Sequence, residues 1–402
     1  MLKKLVYSRR AILGEGSHGT VYTAEEQDTG RVVALKVSRV SLNVVRSPLR
    51  HEARVLQLLQ GHRAIPALLG HTRRPHFEYM AIELLGPSLR QTVKRGRALP
   101  LETVARVGEQ MLSALEHLAS HHIVHRDLKP DNILLCPVDP ARVVLVDFSI
   151  AHHLPAVLAK AASGTDTTSP LVFPTGTTQF CSISAHVGTA PFPQDDLESL
   201  AYVLLFLYMG DLPWHVENPW HAEPEVYMQS VSNAYTTKQA LVNYALPITI
   251  PLEIAHILDS AAQRELNGLY LSTVARLRSQ CRDLAYSLGE RDIDRDSLNW
   301  SPVLPPASLP PPGVRSDSGY ASGFNVFGQS NHPPDALGCT YNDREPVNEY
   351  FTDSYYETLY ETWSIAYGRR LSLTLPPDVA EFLDGQLPDI ADIKAFLPPL
   401  KT

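Results

Sequence analysis

The run His125-Arg126-Asp127-Leu128-Lys129-Pro130-Asp131-Asn132 constrains this chain most. It directly follows a stretch of helical periodicity, and after the strand-like run Arg142 to Val146 comes the triplet Asp147-Phe148-Ser149. The run brings together an acid that can accept a hydroxyl proton, a lysine that can sit beside a phosphate in transit and a carboxamide that can ligate a metal. The aspartate of the triplet suits magnesium bridging two phosphates, and Phe148 suits packing inward. Upstream, Gly14-Glu15-Gly16-Ser17-His18-Gly19-Thr20-Val21 lies between two strand-like runs, where positions without side chains let backbone amides close over triphosphate oxygens. Val33-Ala34-Leu35-Lys36 follows on the next strand, and its lysine needs a carboxylate to hold it, for which Glu52 is the candidate. Alone, Lys36 reads equally as a strand-edge charge and Glu52 as a solvated helix residue. The later strings, arriving in order, decide between the two readings.

Periodicity places these strings on two kinds of structure. From Leu5 to about Leu85 the chain reads as short β-like runs, VYTAEE, RVVALKV and EYMAIELL, interrupted by one helical stretch from Pro48 to Leu59. From Leu101 to His122 the apolar residues Val104, Val107, Met111, Leu112, Leu115 and Leu118 recur at the spacing of a helix with one buried stripe. Further helices are expected over Asp195 to Met209, opened by carboxylates near the helix N-terminus, and across Leu252 to Leu288. After about Asn299 the text turns to SPVLPPASLPPPG and then to Ser, Gly, Asn and Pro without apolar periodicity, which reads as a mostly disordered tail. Within it, Tyr350 to Tyr367 reads either as a short conditional helix or as a solvated linker.

Composition narrows the setting. The 402 residues exceed one average domain, and 44% hydrophobic with 19% charged is enough apolar side chain for a substantial core. The net charge of -8, with no long Lys/Arg run, gives little electrostatic support for nucleic acid or an anionic membrane surface. Cys136, Cys181, Cys281 and Cys339 are far apart, so neither a disulfide framework nor a zinc site is expected, and a reducing intracellular compartment, cytoplasmic or nuclear, fits. The first residues carry no long apolar run or cleavage signal, and Leu200 to Met209 is too short to span a bilayer.

In their order these strings resemble the eukaryotic protein kinase superfamily over roughly the first three-quarters of the chain. The resemblance implies an α+β, bilobal protein kinase fold: a small β-rich N-lobe over 1–85, a larger mainly α C-lobe over 86–295, and the tail over 296–402. It implies ATP and Mg2+, protein substrates with Ser or Thr acceptors, and a monomer. Asp127 would be the catalytic base, with Lys129, Asn132, Lys36 and Glu52 as its catalytic partners. Gly14, Gly16, Gly19, Val21, Ala34, Lys36, Glu83, Leu85 and Leu134 would contact ATP, with Glu83 to Leu85 as the hinge behind Ile82, and Asn132 and Asp147 would hold the metal. Lys129 together with Thr177 after Gly176 resembles the serine/threonine pattern.

Two further strings, LLGPSL at Leu84 to Leu89 and GTTQFCSISAHVG followed by DDLESLAYVL, resemble the casein kinase I group and replace the usual Ala-Pro-Glu segment. The portion Ser182 to Pro191 is also similar to the vaccinia-related kinase branch, so the subfamily stays open. Asp196 would brace the catalytic loop. Members of the group usually carry an arginine after Gly-Thr-Ala and a basic run after Leu-Pro-Trp. Here Gln179 and HAEPEVYMQ occupy those places, so a preference for acidic substrates does not transfer.

Ser149 stands where the family has glycine. If the backbone there has negative φ, serine costs little; if positive φ is needed, strain of about 1 kcal/mol or more would lower activity. The alternative to an active enzyme is thus a weak pseudokinase that binds nucleotide as a scaffold. The hydroxyls of Ser163 to Pro170 could be phosphorylated and meet Arg126, although a polar loop with Arg126 bonded to nearby backbone is the expectation. In the tail, Asp317-Ser318-Gly319-Tyr320-Ala321-Ser322 resembles a phosphodegron read by ubiquitin ligases. Arg369-Arg370-Leu371-Ser372 resembles a basophilic kinase site; a solvated linker is the competing reading of both.

Overall fold

The computed structural model describes residues 7–289 apart from 17–18, 41–46, 94–95, 155–175, 218–221, 247 and 264–266, together with Leu298. The hydroxyls of Ser163 to Pro170, the tip residues Ser17 and His18, and the tail apart from Leu298, with its three motifs, lie outside the described residues.

The N-terminal part is a five-stranded antiparallel sheet made of β1 (Tyr7–Gly16), β2 (Gly19–Glu26), β3 (Val32–Arg39), β4 (Leu68–Arg73) and β5 (Phe77–Glu83), in the order β1-β2-β3-β5-β4. Alternation sets its faces: Val33, Leu35 and Val37 on β3 pack with Ala24 and Ala81 on one side of the sheet. Lys36, between them, points to the other. The β3–β5 register sets Ala34 opposite Ile82 and Lys36 opposite Met80. On that second face lies helix α1 (Pro48–Leu59), begun by Ser47, whose hydroxyl oxygen accepts from Arg50 N, and by Pro48 in the first turn. Leu49, Glu52, Ala53 and Leu56 are its buried stripe, so a glutamate occupies a core-facing position.

The remainder is helical around two long elements. In α3 (Leu101–Ser120) the six apolar residues read from periodicity are all buried, each contributing roughly 1.5–3 kcal/mol relative to exposure. It is followed at once by the two-residue strand β6 (Ile123–Val124), so the helix ends before His122. Helix α5 (Pro193–Met209) is buried on nearly every side and packs against α3 and α7 (Leu252–Ala262), while α8 (Asn267–Leu288) packs along α3. The stretch Leu252 to Leu288 is therefore two helices. The hairpin β7 (Ile133–Cys136) and β8 (Asp139–Leu145), the short β9 (His152–His153) paired with β6, and the small helices α2 (Leu89–Thr92) and α4 (Ile183–His186) complete the frame.

Helix α6 (Pro224–Val242) was not foreseen in the sequence. Its buried face runs through Tyr227, Val231, Ala234, Lys238 and Leu241, a helical spacing hidden by the lysine in its stripe. Among the described residues no helix is long and apolar enough to cross a membrane.

Candidate active site

The site is assembled from the edges of these elements. Lys36 reaches from β3 to Glu52 on α1, with Nζ 2.7 Å from Oε2, and to Asp147 after β8, 3.3 Å from Oδ1. Burial works against the ammonium, but Glu52 and Asp147 outweigh it and hold its pKa above the ordinary lysine value. The Phe148 N–H also bonds to the Glu52 carboxylate. Phe148 is fully buried and meets the His125 ring edge-on at 4.8 Å, so helix, triplet and loop share one packed unit.

The loop from His125 to Asn132 has no regular ladder to satisfy its backbone, and buried side chains do so instead. Asp196, on α5, accepts from the N–H groups of His125 (2.6 Å) and Arg126 (2.8 Å). This bracket holds Arg126 at φ 70°, a left-handed conformation that an arginine does not keep without support. Burial pushes the Asp196 carboxyl up to about 7, against the pull of those two donors. Burial likewise pulls His125 below the ordinary histidine value. Its Nδ1 accepts from Asp127 N, leaving Nε2–H to donate to the Val146 carbonyl at 3.1 Å. The Arg126 Nε donates to Ile150 O at 2.6 Å, the bond to neighbouring backbone expected from sequence.

Asp127 is the hub of the loop. Its Oδ1 accepts from Thr177 N (2.9 Å) and Thr177 Oγ1 (2.7 Å), and its Oδ2 meets Lys129 Nζ (2.7 Å) and Asn132 Nδ2 (3.1 Å). Lys129 also donates to Thr177 Oγ1 at 2.8 Å. Asn132 spends its amide nitrogen on Asp127, which leaves its carboxamide oxygen for a cation. With Asp147 this makes one carboxylate and one amide oxygen, hard oxygen donors that would suit a divalent cation such as magnesium. Asp147 itself sits at φ 65°, whereas Ser149 is not among the described non-glycine residues with positive φ.

The remaining candidates lie on β1, β2, β3, the end of β5 with the connection after it, and β7. Gly14 and Gly16 pair with Val21 and Gly19 across the β1–β2 turn. Gly19 has φ +122°, and a Cβ there would lie 2.2 Å from the Val37 carbonyl. Ala34 is buried while Val21 and Leu134 are half-buried. The connection after β5 is tied to β7 by Gly86 N to Leu135 O (2.8 Å) and by Leu135 N to Pro87 O (2.9 Å). Leu85 has no backbone hydrogen bond among the described residues. The Glu83 side chain, by contrast, turns away to a bidentate pair with Arg142 on β8 at 2.8 and 3.2 Å, and its Oε1 accepts from Ala67 N. Sequence reasoning overlooked Arg142 and Lys238; neither stands in a motif. The family model of the protein kinase domain matches residues 7–265.

Proposed function

The chain belongs to the protein kinase domain family, and from that premise we propose that it is an ATP-dependent serine/threonine kinase, moving the γ-phosphate of ATP to Ser and Thr hydroxyls of proteins. The observation that carries the proposal is the environment of Asp127, whose carboxylate is held on both oxygens by Thr177, Lys129 and Asn132. An acceptor hydroxyl approaching it would find a base already oriented, which is where positioning lowers the barrier. Lys129, 2.7 Å from that carboxylate, would meet the charge of the phosphoryl group as it passes. Lys36 would hold the α- and β-phosphates, kept in place by Glu52. Asp147 and Asn132 would hold magnesium, which supplies neutralisation of phosphate charge when bound. Val21, Ala34, Leu134 and the Leu85 backbone would receive the adenine.

We propose further that it falls in the wider casein kinase I group, on LLGPSL at Leu84 to Leu89 and on GTTQFCSISAHVG with DDLESLAYVL, with the subfamily open and that group's preference for acidic peptides not carried over. Gln179 is buried, its carbonyl accepting from Trp214 Nε1 at 2.9 Å, and it offers no cation. Against the alternative, a scaffold braked at Ser149, the active reading is supported by a backbone at Ser149 that is not left-handed, so that serine carries no such strain there.

Radiolabelled ATP with a mixed Ser, Thr and Tyr peptide library tests the reading. Wild type should label Ser and Thr peptides, and Asp127→Asn should lower transfer by on the order of 100-fold or more. Absence of Asp127-dependent transfer rejects it. Ser149→Gly should change turnover by less than about threefold; a rise of about tenfold, equal to about 1.4 kcal/mol, would reinstate the brake.

A further inference from the structure

Lys238 of α6 lies in the middle of a buried apolar face and is 0% exposed. An ammonium buried in this way costs several kcal/mol unless its protons and its charge are met. Its Nζ donates to the carbonyls of Thr178 (2.8 Å) and Cys181 (2.7 Å) and faces Nε2 of His186 at 3.0 Å, so all three protons have acceptors. The rings of Tyr202 and Trp214 stand 5.0 and 5.5 Å away and present their faces to the charge. Glu198, whose charge Lys238 feels, spends its Oε1 on Ile183 N and the Tyr202 hydroxyl.

The carbonyls that Lys238 grips belong to the turn that carries Thr177. Within it the N–H groups of Phe180 and Cys181 bond to Thr177 O, at 2.8 and 2.9 Å. The carbonyls of Thr178, Gln179 and Cys181 are left pointing outward, and they are taken by Lys238, Trp214 and Lys238 again. No strand or helix satisfies these groups; besides the Cys181 thiol, which donates to Thr178 O at 3.4 Å, two side chains from elsewhere in the fold, Lys238 and Trp214, cap them.

We propose that Lys238 is a positioning residue for the acceptor side of the site: its buried ammonium fastens the 177–181 turn so that Thr177 holds Asp127 and the turn forms a rigid seat for the acceptor peptide. Lys238 touches neither nucleotide nor acceptor and acts through Thr177. The functional half of this inference rests on the kinase reading; the structural half does not.

The test uses the full chain as wild type, Lys238→Met and His186→Leu. It measures amide exchange over 177–183 against 200–207 in α5 as the folded reference, binding of a non-hydrolysable ATP analogue with magnesium, and kcat and KM for a peptide that wild type phosphorylates. Lys238→Met should raise exchange in the turn by about tenfold or more, leave α5 protected and keep nucleotide Kd within about twofold. Its kcat/KM for peptide should fall on the order of 100-fold, the loss attached to a misplacement of about 1 Å. His186→Leu, which removes one of three acceptors, should shift the same readouts by about tenfold or less. Wild-type exchange and kcat/KM in both variants overturn the proposal, as does a loss of nucleotide binding in step with peptide turnover. If Lys238→Met does not fold, His186→Leu decides alone, and wild-type values there overturn it. If wild type transfers no phosphate, the kinase reading fails and exchange over 177–183 decides the anchoring by itself.

Discussion

Gly176→Ala probes the link between the turn and Asp127. Gly176 has φ +93°, where an L side chain is strained, and a Cβ built there lies 2.3 Å from Arg126 O and 3.6 Å from Asp127 Oδ1. The left-handed backbone costs alanine roughly 1–2 kcal/mol. The contact with Arg126 O adds to this, because an ordinary contact begins near 3.4 Å and the groups must part by about 1 Å. Arg126 is pinned by Asp196 through its N–H, so the freer partner is the 176–177 segment. Moving it pulls Thr177 off Asp127 Oδ1, where it makes bonds of 2.7 and 2.9 Å. A base disoriented by about 1 Å loses on the order of 100-fold in turnover. The expected outcome is a drop of that size in kcat for peptide, an unchanged nucleotide Kd and about 1–3 kcal/mol less stability in urea unfolding. Turnover within about threefold of wild type would refute the coupling, even if stability falls.

The other two predictions concern stability. Glu83→Ala removes a bidentate pair whose side chains are 18% and 17% exposed, and it orphans the Ala67 N–H; urea unfolding should show a loss of about 2 kcal/mol, and less than about 0.5 would refute it. Burial, helped by His117 stacked at 4.8 Å, pushes the His62 pKa down to about 4, so the folded state declines a proton that the unfolded chain accepts below about 6.5. His62 therefore contributes stability fully above that pH and loses it as pH falls toward 4, which His62→Gln does not. The wild-type advantage should be flat above pH 6.5 and shrink below it by up to about 1.4 kcal/mol per unit, roughly halved because His62 is half-solvated. Unfolding at pH 7.5 and 5 checks this, and a constant difference refutes it.

Much of the frame was legible because its signals are local. Helix α1 begins at Ser47-Pro48 as its cap and proline announce, and the stripe of α3 follows from six apolar residues at helical spacing. Helix α6 was not legible because Lys238 interrupts its apolar face, and a lysine in sequence reads as solvent-facing. Across Leu252 to Leu288 helical character was legible, but the end of α7 was not, because the break at Gln263 carries neither glycine nor proline. At the site, Glu83 could be placed in the chain connection but its side chain could not. Its partners Arg142 and Ala67 are 59 and 16 residues away, and no local rule pairs them.

By itself the sequence determined the kinase family and an α+β architecture with the sheet first and the helices after, because the residues that carry them stand in contiguous strings with their own backbone requirements. Only the tertiary structure decided how those strings are held. Asp196 reaches the Arg126 N–H across 70 residues, and Lys36 reaches Asp147 across 111. Lys238 reaches Cys181 across 57. A buried charge is tolerated only where distant groups meet it, so its meaning is a property of the fold and not of the neighbouring letters.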